Sequence, residues 1–185
     1  MYHIKNDKRS QTSARLISEG LLKCLIDKEF SKITITDVQR ASFVGRATFY
    51  RLFDNLTDVL AYQCDQIFED VIYSYDTSSK QSPESIITHF IDNWLKHEKL
   101  LEAIVECNRL DIIIESHRKT KDKIKNFFFL NIEMDTTQTD YLIVVLTALM
   151  SGILAEWVRN GRKENTLQLY NQVRNSIRLI HHMIK

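Results

Sequence analysis

Proline and glycine are almost missing from this sequence, and that scarcity constrains the fold more than any other feature. One proline and four glycines occur in 185 residues. Hairpins, bulges and tight turns draw on these two residues, whereas helix interiors exclude both. The chain therefore reads as all-α. With 44% hydrophobic and 26% charged residues it has the balance of a globular protein, and its length allows one sizeable domain or two small ones sharing a core.

Apolar spacing along the chain predicts about nine helices and no internal repeat. Ala14, Ile17, Leu21 and Leu25 recur at steps of three or four and define a helix over residues 8–28. Thr34, with Asp37 three residues on, is a capping-box pattern that opens a short helix with Ile35, Val38 and Ala41 facing inward. "SFVG" interrupts it, and a third helix runs from about Arg46 to Phe53, burying Phe49 or Tyr50 together with Phe53. Asn55 and Asp58 repeat the cap-plus-acid signature before a long helix through Leu60, Cys64, Ile67 and Val71. "DTSSKQSP" reads as a loop whose Pro83 suits the first turn of the next helix, which carries Ile86, Ile87, Phe90, Ile91, Trp94 and Leu95. Helices are then expected over Leu100–Asn108, Asp111–Asn131, Tyr141–Asn160 and Asn165–Lys185.

The most apolar run, Tyr141 to Ala155, includes Thr147, Ser151 and Gly152 and meets Glu156. It falls short of the roughly 18 apolar residues of a membrane span and reads as a helix buried on most sides. The polar first twenty residues lack the apolar stretch of a signal peptide. Cys24, Cys64 and Cys107 form no CxxC pair and each lies in an apolar-periodic stretch, which points to reduced thiols and a cytoplasmic setting.

Charge divides the chain where the helix pattern does. Residues 1–55 hold ten Lys or Arg against six Asp or Glu, and residues 56–185 hold fifteen against eighteen. A basic head of residues 1–55 on a helical body of residues 56–185 suits a nucleic-acid partner for the head. Within it, two short helices joined by a tight turn and set on a longer first helix form a helix–turn–helix, whose second helix presents its N-terminal residues to base edges in the major groove. Those residues are Gly45, Arg46, Ala47 and Thr48. Arg46 can donate bidentately to guanine, Thr48 can bond a base or pack on a thymine methyl, and Gly45 and Ala47 keep the approach small. Thr34, Thr36, Tyr50, Arg51 and Asn55 are candidates to hold backbone phosphates. At Phe43 such a turn usually wants glycine. Either Phe43 itself takes a left-handed conformation, or Gly45 takes the special one and the turn is remodelled.

"ITITDVQRASFVGRATFYRLFDNLTDVL" resembles the DNA-binding head of the TetR family of bacterial transcriptional regulators, over roughly residues 10–60. The resemblance rests on the Thr34 cap, the Asp37-Val38 pair, "RATFYRLF" and the acidic, apolar start of the fourth helix. Two positions depart from the family pattern: Phe43 stands where glycine is common, and Leu56 where many members carry a phosphate-binding lysine. The resemblance implies a dimeric regulator that binds a palindromic double-stranded operator. A repressor released by a small-molecule effector is the first expectation. An activator governed by a co-regulator protein is the second.

For the body, the resemblance implies a core that dimerises and, in many members, takes an effector. Ala148, Ser151, Gly152 and Ala155 form a flat strip on the penultimate helix, and Leu167, Tyr170, Val173, Ile177 and Ile184 a matching stripe on the last. Two such helices per subunit would make a four-helix homodimer interface, the alternative being plain monomer core. Phe90, Trp94, His97, Cys107, Phe127, Phe128 and Tyr141 are the candidates for an effector pocket, again against ordinary core packing. No metal-ligand spacing emerges from the six histidines, and no cofactor is expected. No HExxH, GxSxG or Gly-rich phosphate loop suggests an enzyme. A helical interaction module without DNA is the remaining competitor.

Overall fold

A computed structural model describes residues 2–75, 82–123 and 135–184. Among the described residues there is no strand, and nine α-helices carry the fold: α1 Lys8–Asp27, α2 Ile35–Ser42, α3 Arg46–Leu52, α4 Leu56–Ser74, α5 Pro83–Lys96, α6 Glu98–Glu106, α7 Asp111–Lys119, α8 Thr136–Arg159 and α9 Thr166–Ile184. A single 3-10 turn, Phe30–Lys32, lies between α1 and α2.

The helix starts are held by side chains. Asp7 accepts from the Ser10 amide at 2.9 Å to open α1. Thr34 and Asp37 form the full reciprocal box at α2: Thr34 Oγ1 accepts from the Asp37 amide at 3.2 Å, and Asp37 accepts from the Thr34 amide at 2.9 Å. Asn55 accepts from the Asp58 amide at 3.0 Å to open α4. Ser82 caps α5 with Pro83 in the first turn, and Asp135 caps α8.

The chain forms two compact units, one of residues 1–66 with 99–116, the other of residues 67–98 with 117–185. The unit that holds the head is thus larger than residues 1–55: the first part of α4 and all of α6 but its first residue belong to it. In this unit α1 packs on α2 and α3. Ala14, Ile17, Val38, Phe49 and Phe53 are all completely buried. Phe49 takes the inward place on α3, and Tyr50 stays 45% exposed.

In the second unit α5 packs on α9. The core gathers Phe68, Phe90, Ile91 and Trp94 with Leu154, Ala155 and Val173. His117 is buried against Phe68, ring centroids 4.3 Å apart, and its Nδ1 lies 2.5 Å from Thr147 Oγ1. Thr147 gives its own proton to the Ile143 carbonyl at 2.7 Å, so its oxygen accepts from a neutral, Nδ1-protonated imidazole. Burial lowers the His117 pKa to about 4.

Two expectations are corrected. The helix expected over Asp111–Asn131 is interrupted: α7 ends at Lys119, where the Thr120 amide bonds three residues back to the His117 carbonyl at 3.1 Å, residues 121–123 are helical again, and residues 124–131 lie outside the described residues. The helix around Tyr141–Ala155 runs 24 residues, Thr136–Arg159, and by length and composition it is long and apolar enough to cross a membrane. Nor is it buried on most sides. Ile143, Thr147, Met150, Ser151, Leu154 and Ala155 face inward, while Tyr141, Val144 and Val145 stand 72%, 64% and 60% exposed. The buried hydroxyls of Thr147 and Ser151 each donate to the carbonyl four residues back, and the Thr147 oxygen also accepts from His117.

Candidate nucleic-acid interface

Helices α2 and α3 are joined by Phe43, Val44 and Gly45 alone. Phe43 has φ 58° and ψ 22°, inside the left-handed region, whereas Gly45 is extended at φ −67° and serves as the N-cap of α3. Of the two geometries open to the sequence, the turn uses strain at Phe43. A bulky residue pays of order 1 kcal/mol or more there, and nothing offsets it by packing, because Phe43 is 94% exposed.

The angle between α1 and α2 depends on Gly20. A Cβ at that position would lie 2.8 Å from Ser42 Cβ and 3.1 Å from the Val38 carbonyl. Glycine in a helix interior costs up to about 1 kcal/mol relative to alanine. Here it lets the two helices touch, and the same contact fixes where α2 hands the chain to the turn.

At the start of α3, Gly45, Arg46 and Ala47 are exposed and Thr48 is half-buried. No atom lies within 4 Å of where a Gly45 Cβ would be, so the approach is open. The Arg46 guanidinium rests over the Tyr50 ring, 5.6 Å from its centroid. Arg51 is exposed on the same short helix. Thr36 and Asn55 are exposed too, but the Asn55 carbonyl is spent on capping α4. Thr34 is likewise engaged, its hydroxyl donating to Asp37 at 2.7 Å while accepting from the Asp37 amide. Asp37 also takes a 2.9 Å ion pair from Lys28. Thr34 hydrogen bonds, followed by the Lys28 bond, hold its carboxyl well below the usual range.

Sequence reasoning missed the N-terminal arm. The His3 amide donates to the Leu52 carbonyl at 2.8 Å, tying the arm to the end of α3. Tyr2 packs edge-on against Tyr62 at 5.6 Å and also touches the Phe53 ring. Its hydroxyl donates to Asp65, which accepts a second bond from Ser116 at 2.5 Å. Burial and the Asp65 carboxylate push the Tyr2 phenol above its ordinary range. These partners lie 51 to 63 residues apart in sequence, and no local spacing signals them.

The body's candidates separate. Phe90 and Trp94 meet in the second unit's aromatic core with Phe68 and His117. The Trp94 indole N–H is buried there without a hydrogen-bond partner among the described residues. His97 is half-buried, its pKa lowered by that burial. Tyr141 faces outward, Cys107 belongs to the head's unit, and Phe127 and Phe128 lie outside the described residues. Of the dimer candidates, Ser151, Ala155, Tyr170 and Val173 are buried within their own unit, and Ala148, Gly152, Leu167 and Ile177 are exposed; the side chain of Ile184 lies outside the described set. All three cysteines are free thiols, Cys64 buried and the others half-buried. Among the described residues no cluster of His, Cys, Asp or Glu is arranged to hold a metal.

A capped helix–turn–helix head within an all-α chain defines the class: this is a TetR-like fold. Lin0861 from Listeria innocua matches over 96% of this chain and 96% of its own, with a TM-score of 0.75 at 18% identity. A TetR transcriptional regulator from Streptococcus agalactiae matches over 90% of this chain and 94% of its own, with a TM-score of 0.59 at 16% identity. A TetR/AcrR-family transcriptional regulator from Aquifex aeolicus matches over 91% of this chain and 99% of its own, with a TM-score of 0.54 at 12% identity. No family model and no curated protein matches the sequence.

Proposed function

We propose that the chain is a DNA-binding transcriptional regulator working as a homodimer, without enzymatic activity. The observation that carries this reading is the start of α3: small residues on an open approach, with Arg46 and Thr48 beside them, held by a turn and a complete capping box. Two solved proteins of similar fold are described as transcriptional regulators, which supports the same reading. Arg46 would leave the Tyr50 face to reach a guanine edge, and Arg51 and Thr36 would meet phosphates.

Apolar surface left open on the body supports the dimer. Tyr141, Val144, Val145, Ala148 and Gly152 recur at helical spacing on α8, and Leu167, Ile177 and Ile180 are exposed on α9. A second copy covering this face would pair two heads, as reading half-sites about 34 Å apart on one DNA face requires. The chain acts as a repressor near its own gene, relieved by a small molecule that offers an acceptor to the unpartnered Trp94 N–H within the Phe68–Phe90–His117 core.

Footprinting on DNA flanking the gene, over a salt series, tests the DNA reading. A protected two-fold site whose affinity falls as salt rises is expected, and Arg46→Ala should cost about 1–3 kcal/mol with relaxed specificity. Unchanged affinity and specificity in Arg46→Ala would remove α3 as the reading helix.

A further inference from the structure

The N-terminal arm closes over one end of α3 and leaves a hollow of about 220 Å³ lined by His3, Lys5, Asp7, Arg9, Ser10, Arg51 and Leu52. Three of these residues, Lys5, Arg9 and Arg51, are exposed cations with no ion pair among the described residues. The other titratable groups there are occupied. Asp7 is spent on the Ser10 amide and hydroxyl at 2.9 and 2.8 Å. The His3 ring faces Asp54 at 3.1 Å.

Arms of this kind usually stay disordered, because each ordered residue costs roughly 1–2 kcal/mol of backbone entropy. This one is held at three points: Tyr2 in the Phe53–Tyr62 ring cluster with its hydroxyl on Asp65, the His3 amide on Leu52, and the His3 ring on Asp54. All three anchors act on residues 2 and 3, and their effect is to fix the path of the cations that follow. Lys5 and Arg9 are thereby set beside Arg51, the cation near the end of α3.

We propose that this hollow is an anion cradle for a backbone phosphate of duplex DNA flanking the bases read by α3. Helix α3 has seven residues and is only about 10 Å long at 1.5 Å per residue. Its first turn can face bases while its far end, with the arm, closes on the sugar–phosphate chain. Lys5, Arg9 and Arg51 supply the charge, and Tyr2 is a positioning residue that holds them in place. The cradle sets affinity and register without reading sequence. It rests on the DNA-binding reading above.

The test uses fluorescence anisotropy with the full chain and two labelled duplexes of about 30 base pairs, one from the DNA flanking the gene and one of random sequence. Lys5→Ala with Arg9→Ala should weaken both duplexes alike. It should also flatten the plot of log affinity against log salt by about 1, the loss expected for one phosphate contact. Tyr2→Phe, which keeps the ring and removes the Asp65 bond, should lose part of the same slope with its helical circular dichroism unchanged. If the double variant keeps the wild-type slope while Arg46→Ala loses discrimination between the duplexes, the cradle is overturned and the DNA reading stands. If the wild-type chain binds neither duplex, both fall.

Discussion

In the first unit the apolar side chains of α1, α2 and α3 are consumed internally: Ile17, Val38 and Phe49 are all fully buried, and the large exposed apolar groups near them are single residues such as Ile26 and Phe43. In the second unit the same chemistry is left half-used. Helix α8 buries Leu154 and Ala155 completely yet leaves Tyr141, Val144 and Val145 to solvent, and α9 leaves Leu179 and Met183 at 65% and 84% exposure. Both regions are helical and both show helical periodicity. The difference is in how much of each apolar stripe the chain itself can cover, and it teaches that periodicity predicts a helix but not what lies against it.

Equivalent damage to the two units should have unequal effects. Phe49→Ala empties the centre of the head and should cost about 3–5 kcal/mol, read from denaturant unfolding. Val144→Glu, on the open face of α8, should keep helical circular dichroism and instead move the sedimenting species from dimer to monomer. A monomeric wild type, or an unfolded Val144→Glu, would remove the contrast.

Acid should separate the units by pH. His117 favours its neutral form when folded, with its pKa lowered from 6.5 to about 4. The stability it contributes is complete above the unfolded value of 6.5 and is lost as pH falls from there toward 4. The loss is on the order of 3 kcal/mol. Asp37, in the head, has a depressed folded pKa, so its contribution is present above the ordinary 3.8 and is lost only as pH falls below it. Unfolding followed across this range should show the second unit weakening first, and His117→Phe should flatten the slope between pH 6.5 and 4. An unaltered slope in that variant would mean another group governs the window.

Smaller effects belong to the backbone of the head. Gly20→Ala should destabilise by about 1–3 kcal/mol despite alanine's better helix propensity, because the new methyl meets Ser42 and the α2 backbone. A stabilised Gly20→Ala would show that α1 and α2 can part cheaply. Phe43→Gly should do the reverse, raising the unfolding free energy by up to about 1 kcal/mol and the midpoint with it: relief of the left-handed strain exceeds the added freedom of the unfolded chain. A lowered midpoint would mean that the turn is not strained at φ 58°.

What the sequence made legible is what is local. The Thr34–Asp37 box, the Asn55 cap, Pro83 at a helix start and the all-α class each depend on residues within four positions of one another, where chemistry and spacing suffice. The turn was half-legible: an awkward residue was evident at Phe43, but whether it or Gly45 carries the left-handed conformation depends on helix packing. The His117–Thr147 bond and the Tyr2–Asp65–Ser116 clasp were invisible, because they join residues 30 to 63 positions apart and polar residues carry no periodic signature. The sidedness of α8 was misread for a related reason. Its window is apolar nearly all round, so its hydropathy could not tell the covered face from the open one.

One consequence of how the head distributes its ions is kinetic. Arg15, Lys28 and Lys32 are each already bound to a carboxylate of their own unit, whereas Lys5, Arg9, Arg46 and Arg51 have no ion pair among the described residues. An anion arriving at the first set must displace a resident partner; one arriving at the second displaces only water and mobile counterions. Encounter at the α3 end of the molecule therefore has no ion-pair-breaking step. Its rate should follow diffusion and long-range attraction, falling with ionic strength.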